Sequence, residues 1–301
     1  ILLIGSAPNY PTGMMDPIES LSKLAVDNGL LLHVDACIGG FLLAYLKKIG
    51  NDIPLFDFKL SGVTSLSVDL HKYAYAPKGS SVLLYRKEEL RKEQFSVYPN
   101  WEGGIYGSTT FLGTKPGGIV ASTWMALNHI GQDGYVKLTY KTMYATKVIR
   151  EYIQNSKDLS LIGNPIMSLL AFNSEKHDIY HIADLLSEKG WYIGRLQNPP
   201  GIHLVVSQIH ADGAAKEMVE DMQEILEKLN TSKIKNKLTK VGDNLSVNAV
   251  KSLGYKSLKK AVVASTGTKN SKKRLIYDLK SNLDLDQSND LFKSILNRFY
   301  Q

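Results

Sequence analysis

At 301 residues, 44% hydrophobic and 22% charged, the chain has globular composition and enough apolar material for one large or two medium domains. Its single cysteine, Cys37, excludes an internal disulfide and argues against a thiolate metal cage, and no apolar run approaches the roughly 20 residues of a membrane span. The net charge of +7 is uneven: Thr231 to Gln301 holds 13 Lys and 2 Arg against 5 Asp, a net +10, so the body carries −3.

Ile1 to Ser6 is a short apolar strand with no positive region before it, so it reads as strand and turn rather than signal peptide. An opening inside a strand, without an initiator Met, leads to the expectation that part of the protein lies upstream. A helix follows. Asp16 is placed to cap it, Pro17 suits its first position, Leu21, Leu24 and Ala25 follow helical spacing, and Gly29 closes it. Leu30 to Ala36 is a second strand that ends on a carboxylate, Asp35, and Phe41 to Gly50 a second helix. Gly62 to Asp69 and Ser80 to Lys87 are further strands. Strands alternating with helices predict an α/β sheet covered by helices.

In such sheets functional groups gather at the carboxyl ends of strands. Asp35 and the His71-Lys72 pair stand at two such ends, 37 positions apart, and could face one crevice. Lys72 precedes the turn-rich segment Tyr73 to Gly79. A lysine there could form a Schiff base if its pKa were lowered by burial or by the neighbouring cations His71 and Lys78. Asp35 could partner a pyridinium nitrogen. The pattern alone leaves this open against a plainer reading, in which Lys72 and Lys78 are surface lysines and Asp35 is a helix cap. Cys37 reads as a small core residue beside the Asp35 strand. His33 reads as a packed or hydrogen-bonded group rather than a catalyst.

Trp101 to Gly118 is a Gly- and hydroxyl-rich loop, and a long helix is expected from about Ile119 to Asn155. From about 156 to 230 the chain reads as strand, helix, strand pair, helix: a second, smaller α/β unit. The basic tail beyond 231 holds helical pieces such as Asn289 to Tyr300 between polar stretches. It reads as a solvated lysine-rich surface or as a segment drawn to anionic membranes. Without a basic amphipathic helix or interleaved aromatics, it does not point to nucleic acid.

The stretches "HVDACIGGF" (33–41) and "SLSVDLHKYAYAPKGSSVLLY" (65–85) resemble the pyridoxal phosphate-dependent group II decarboxylase superfamily of fold type I. Its lysine signature is matched by Ser65, Leu66, Lys72 and Tyr73. Together with "GSAPNYPTGMMDPI" (5–18), "GGIYGSTTFLGTKPGG" (103–118), "GNPIMS", "KGW" and "LQNPPGIH", these stretches are similar to the sphingosine-1-phosphate lyase family within it, over residues 1 to about 230.

The resemblance implies a fold-type-I transferase-like large domain, of which residues 1–120 are the C-terminal part. A connecting helix (121–155), a small α/β domain (156–230) and the basic segment 231–301 follow. It implies pyridoxal 5'-phosphate as cofactor, with Lys72 carrying the internal aldimine, Asp35 on the pyridine nitrogen, and His71, Ser108 and Thr109 near the cofactor phosphate. Lys78 becomes a candidate for the substrate phosphate, with Tyr10 and Tyr106 beside it. No metal is implied. The implied substrate is a phosphorylated long-chain base, cleaved between C2 and C3 by a homodimer with shared sites, with membrane-surface contact as a route to the lipid.

Where the family reads Gly-Ser-Arg-Pro-Gly, this chain has Gly113-Thr114-Lys115-Pro116-Gly117, which keeps the charge but loses a bidentate guanidinium. The upstream half, which in the family supplies the ring-stacking residue and much of the phosphate loop, is absent from this chain. Two other readings stay open: an amino-acid decarboxylase of the same fold, and a non-catalytic homologue acting at anionic lipid surfaces. Family members are either anchored to the endoplasmic reticulum or are soluble bacterial forms, some delivered into host cells. The Lys/Asn/Ser/Ile-rich tail favours a bacterial form.

Overall fold

A computed structural model describes residues 1–231, 259, 277 and 283–299. Most of the basic tail anticipated from the sequence lies outside the described residues. The chain divides into two units. One is Ile1–Lys147 with Gly163–Leu170 and Val205–Gly213; the other is Val148–Ile162 with Ala171–Leu204 and the remainder from Ala214.

The first unit is built on a four-stranded sheet in the order β1 (Leu2–Ser6), β2 (Leu31–Asp35), β3 (Val63–Asp69), β4 (Ser81–Tyr85). The first three strands are parallel and β4 closes the edge antiparallel. Helices α1 (Ile18–Asp27) and α2 (Gly39–Lys48) link the parallel strands, as the helical spacing of Leu21, Leu24 and Ala25 predicts for α1. Asp16 does not cap α1. Its carboxylate accepts the Ser6 N–H at 2.7 Å and Pro17 takes the cap position, so the side chain ties the helix entry back to β1.

One sheet face is apolar. Leu32 and Val34 of β2, with Val63, Leu66 and Val68 of β3, pack against Ile18 and Ala25 of α1 and Leu42, Leu43 and Leu46 of α2. Each fully buried leucine here contributes about 1.5–3 kcal/mol. Gly39 lets α2 start hard against β1: a Cβ there would stand 2.0 Å from the Ala7 carbonyl oxygen.

The apolar positions of β3 are 63, 66 and 68, which breaks the two-residue alternation. The break is a β-bulge. Leu32 pairs with Val63 but His33 pairs with Ser65, leaving Thr64 extra. The Thr64 hydroxyl repairs the interrupted ladder, accepting the Leu32 N–H at 3.0 Å and donating to the Leu32 carbonyl at 2.9 Å. The bulge restores phase, so that Ser65, Ser67 and Asp69 leave the core face together.

Beyond β4 come a short helix α3 (Glu88–Lys92) and a hairpin of β5 (Ser96–Tyr98) and β6 (Tyr106–Ser108). The expected long helix is α4 (Gly117–Asn155), but it is interrupted at Gly131, whose φ of 61° and ψ of 178° are not helical. Glycine takes that left-handed φ without a Cβ clash, so one expected helix becomes two segments.

In the second unit two antiparallel strands stand where one was expected, and a helix, a strand pair and a helix follow. Its sheet runs β7 (Ser160–Leu161), β8 (Leu169–Asn173), β10 (Pro200–Val205), β9 (Gly194–Gln197), with α5 (Ile179–Glu188) and α6 (Ala214–Thr231). Asp178 caps α5 by accepting the Tyr180 and His181 N–H groups. A final helix, α7 (Leu285–Phe299), covers the Asn289 piece expected to be helical and buries Leu291 and Ile295 at i,i+4 spacing. No helix among the described residues is long and apolar enough to cross a membrane.

Thr64→Val keeps the shape but strands two buried backbone groups of Leu32. It is expected to lower unfolding free energy by about 1–3 kcal/mol in urea titration. An unchanged midpoint would show that the bulge does not need its hydroxyl.

Candidate active site

β1, β2 and β3 bring their carboxyl ends to one edge. Ser6 is in register with Asp35, and Asp35 with Ser67. Because side chains alternate along a strand, His33 and Asp35 of β2 share the polar face with Ser65, Ser67 and Asp69 of β3.

These groups form a directed chain. Asp35 Oδ1 accepts the Cys37 N–H at 3.0 Å and the Ser67 hydroxyl at 3.3 Å. Ser67 Oγ lies 3.2 Å from His33 Nε2, and His33 Nδ1 lies 2.8 Å from Ser65 Oγ. One arrangement satisfies every atom: Ser65 donates to Nδ1, Nε2–H donates to Ser67, and Ser67 donates to Asp35. Burial lowers the His33 pKa against the opposing pull of Asp35, which keeps the ring neutral and fits that tautomer. For Asp35, burial works upward. The backbone and thiol of Cys37, the Ser67 hydroxyl and His33 outweigh it and hold the carboxyl below its ordinary range.

Lys72 arrives from the turn after β3. That turn is bound by its own backbone: the Leu70 and His71 N–H groups both donate to the Ser80 carbonyl, at 3.0 and 3.2 Å, and Lys72 N–H to the Asp69 carbonyl at 3.3 Å. His71 Nδ1 donates to the same Ser80 oxygen at 2.7 Å, which leaves Nε2 facing Asp69 Oδ2 at 3.8 Å. Lys72 Nζ stands 2.9 Å from Asp69 Oδ2 and 3.1 Å from Cys37 Sγ. Burial works to lower the Lys72 pKa, but Asp69 and Cys37 together raise it, so the amine rests as an ammonium ion.

The structure thus brings Asp35, His71 and Lys72 to one edge, with Cys37 between the carboxylate and the amine. Lys78 lies exposed in the Pro77–Gly79 turn of the same segment. Tyr10 sits in the turn beyond β1, 56% exposed. Tyr106, Ser108 and Thr109 belong to the β5–β6 hairpin, and their contacts are local. Tyr106 meets Trp101 edge-on at 6.2 Å, Ser108 Oγ donates to the Thr110 carbonyl at 2.6 Å, and the Thr109 carbonyl accepts from Gln94 at 2.9 Å. Lys115, from the loop that departs from the family pattern, lines an open groove of about 930 Å³ with Gln94, His33, Ser67 and Ser81.

Two participants were not singled out from sequence, and a third, Cys37, was read only as a core residue. Asp69 is three residues before Lys72, the spacing at which a carboxylate reaches an amine around one turn. Ser67 could be found only from strand register. Cys37 is half-buried and packs against the core, as expected, but its sulfur also accepts from Lys72, a contact the sequence did not announce. His33 is hydrogen-bonded, as expected.

Residues 9–175 match the family described as pyridoxal-dependent decarboxylase conserved domain. The chain is 44% identical over 227 residues to the sphingosine-1-phosphate lyase of Arabidopsis thaliana, covering 75% of this chain and 42% of that protein. It is 35% identical over 237 residues to a probable sphingosine-1-phosphate lyase of Legionella pneumophila, covering 74% and 38%. It is similar in structure to the Burkholderia pseudomallei sphingosine-1-phosphate lyase, with a TM-score of 0.74, 37% identity, and coverage of 81% of this chain and 56% of that one. Lactobacillus brevis glutamate decarboxylase shares the fold at 20% identity and a TM-score of 0.65, covering 76% and 55%. The chain spans about two fifths of the length of these curated relatives.

Asp35 and Asp69 both titrate lower in the folded chain than an ordinary carboxyl. They therefore add stability above the unfolded-state pKa of about 4 and lose it as pH falls through their folded values. Urea midpoints measured from pH 7 down to pH 2 are expected to fall steeply below about pH 4 in the parent and less steeply in Asp69→Asn. Identical acid limbs would contradict the ion-pair assignment.

Proposed function

Because the chain belongs to the pyridoxal-dependent decarboxylase family, we propose that it carries the cofactor-bonding lysine of a carbon–carbon lyase that cleaves phosphorylated long-chain bases such as sphingosine-1-phosphate into a long-chain aldehyde and phosphoethanolamine. One observation carries the reading: Lys72 Nζ lies within 3.1 Å of Cys37 Sγ, and Cys37 N–H binds Asp35 at 3.0 Å, so amine and ionised carboxylate flank one residue at the strand ends. Relatives named for this activity align over three quarters or more of the chain.

The donor set fits pyridoxal 5'-phosphate, which needs an amine for its aldehyde and an anion for its ring nitrogen. When bound, the cofactor supplies an electron-withdrawing ring that stabilises negative charge developing beside the substrate nitrogen. Lys72 would hold the cofactor aldehyde through Nζ, a role for the neutral amine released from Asp69. Asp35 would hold a proton on the ring nitrogen, a role suited to a carboxyl kept ionised by the Cys37 backbone and thiol and the Ser67 hydroxyl. His71, Ser108 and Thr109 are assigned to the cofactor phosphate. Lys78 is assigned to the substrate phosphate, with Tyr10 and Tyr106 beside it. Lys72 Nζ, when not holding the cofactor, would be placed to carry a proton to or from the substrate's reacting carbon.

A homodimer is part of the reading. Val97, Trp101, Ile105, Phe111 and Leu112 leave the hairpin segment with an exposed apolar surface suited to a second copy.

The purified protein and its Lys72→Ala variant, incubated with cofactor and sphingosine-1-phosphate, are to be compared by mass spectrometry for long-chain aldehyde. Aldehyde from the parent, reduced at least about a hundredfold in the variant, is the expected outcome. Carbon dioxide from an amino acid in place of aldehyde would move the reading to a decarboxylase. Neither product, with no cofactor bound, would favour the non-catalytic homologue.

A further inference from the structure

The residue after Lys72 is anchored far more firmly than a turn residue needs to be. Tyr73 is 7% exposed, and its hydroxyl lies 2.6 Å from Ser168 Oγ and donates to the Val206 carbonyl at 2.8 Å. Ser168 is fully buried, and its own carbonyl accepts the Val206 N–H at 2.9 Å. The three residues close a ring of hydrogen bonds, 95 and 133 positions apart in sequence from Tyr73. The next residue is held too: Tyr135 donates to the Ala74 carbonyl at 2.8 Å. Tyr75 then adopts φ 56°, a left-handed conformation costly for a residue with a Cβ. Such strain persists only where the surroundings over-determine the backbone. Burial pushes the Tyr73 phenol upward and the Tyr135 phenol up to about 12, so both stay protonated donors at neutral pH.

We propose that Tyr73 is a positioning residue for Lys72. Its hydroxyl, locked to Ser168 and Val206, fixes the peptide from which Nζ reaches toward Asp69 and Cys37. The inference rests on the reading of Lys72 as the cofactor-bonding lysine. A side chain of four methylenes has many rotamers; fixing its Cα and the following peptide removes the coarse part of that freedom. Displacements near 1 Å at a reacting group cost on the order of a hundredfold in rate. Tyr73→Phe keeps the ring in the core and removes only the bonds that lock it.

The test is selective labelling. The purified protein is exposed briefly to pyridoxal phosphate and then to borohydride. The lysine amine condenses with the aldehyde, losing water, and hydride reduces the carbon–nitrogen double bond to a stable secondary amine. Peptide mapping compares the adduct at Lys72 with that at exposed Lys23 of α1. The Lys72 to Lys23 ratio is expected to fall about tenfold in Tyr73→Phe and about threefold in Ser168→Ala, which removes one of two partners. An unchanged ratio in both variants, or parallel changes at both lysines as from general loosening, would overturn the proposal. Should Tyr73→Phe not fold, the Ser168→Ala ratio decides. A parent that carries no adduct at Lys72 would instead refute the underlying reading, and the inference would fall with it.

Discussion

One extra residue in β3 sets the chemistry of the sheet edge. Without the bulge at Thr64, Ser65 would stand opposite Val34 and turn into the core, and the polar positions that follow would change face with it. With it, Leu66 and Val68 pack inward while Ser65, Ser67 and Asp69 join His33 and Asp35 on the opposite face. A single hydroxyl, bonded both ways to Leu32, makes the extra residue tolerable. Bulges are concentrated beside active sites because they re-aim side chains in this way.

The site itself is a balance of opposed terms. Burial pushes Asp35 and Asp69 toward the neutral acid, and hydrogen bonds hold both ionised. Burial likewise pushes Lys72 toward the free amine, and Asp69 and Cys37 pull it back. The resting site is therefore charged but internally paired. A ligand that takes Lys72 from Asp69 trades one ion pair for a covalent bond, and it leaves Asp69 to Ser81 and His71, its remaining neighbours. The directed chain from Ser65 to Asp35 has no such freedom, which suits a carboxylate that must keep one protonation state.

Local features were legible in sequence. Short apolar runs located every strand of the first sheet, and strand ends marked Asp35, His71 and Lys72 as a group. What was hidden depended on register or on distance along the chain. Ser67 joins Asp35 only because two strands align, and the bulge spoils the alternation that would have announced it. Asp16 read as a helix cap because the spacing was right, but the Ser6 N–H offered a stronger partner. The long helix expected from about Ile119 to Asn155 is instead interrupted at Gly131. Tyr73 belonged to a recognised signature, yet its partners lie more than ninety residues away. The substrate contacts assigned to Lys78, Tyr10 and Tyr106 rest on resemblance, and much of the basic tail lies outside the described residues.

The central claim is that Lys72 and Asp35 hold opposite ends of one cofactor. A crystal structure of the protein grown with pyridoxal phosphate tests it directly. The account predicts unbroken density from Lys72 Nζ to the aldehyde carbon and an Asp35 oxygen about 3 Å from the ring nitrogen. Density joined to another lysine, or a ring nitrogen facing away from Asp35, would contradict it.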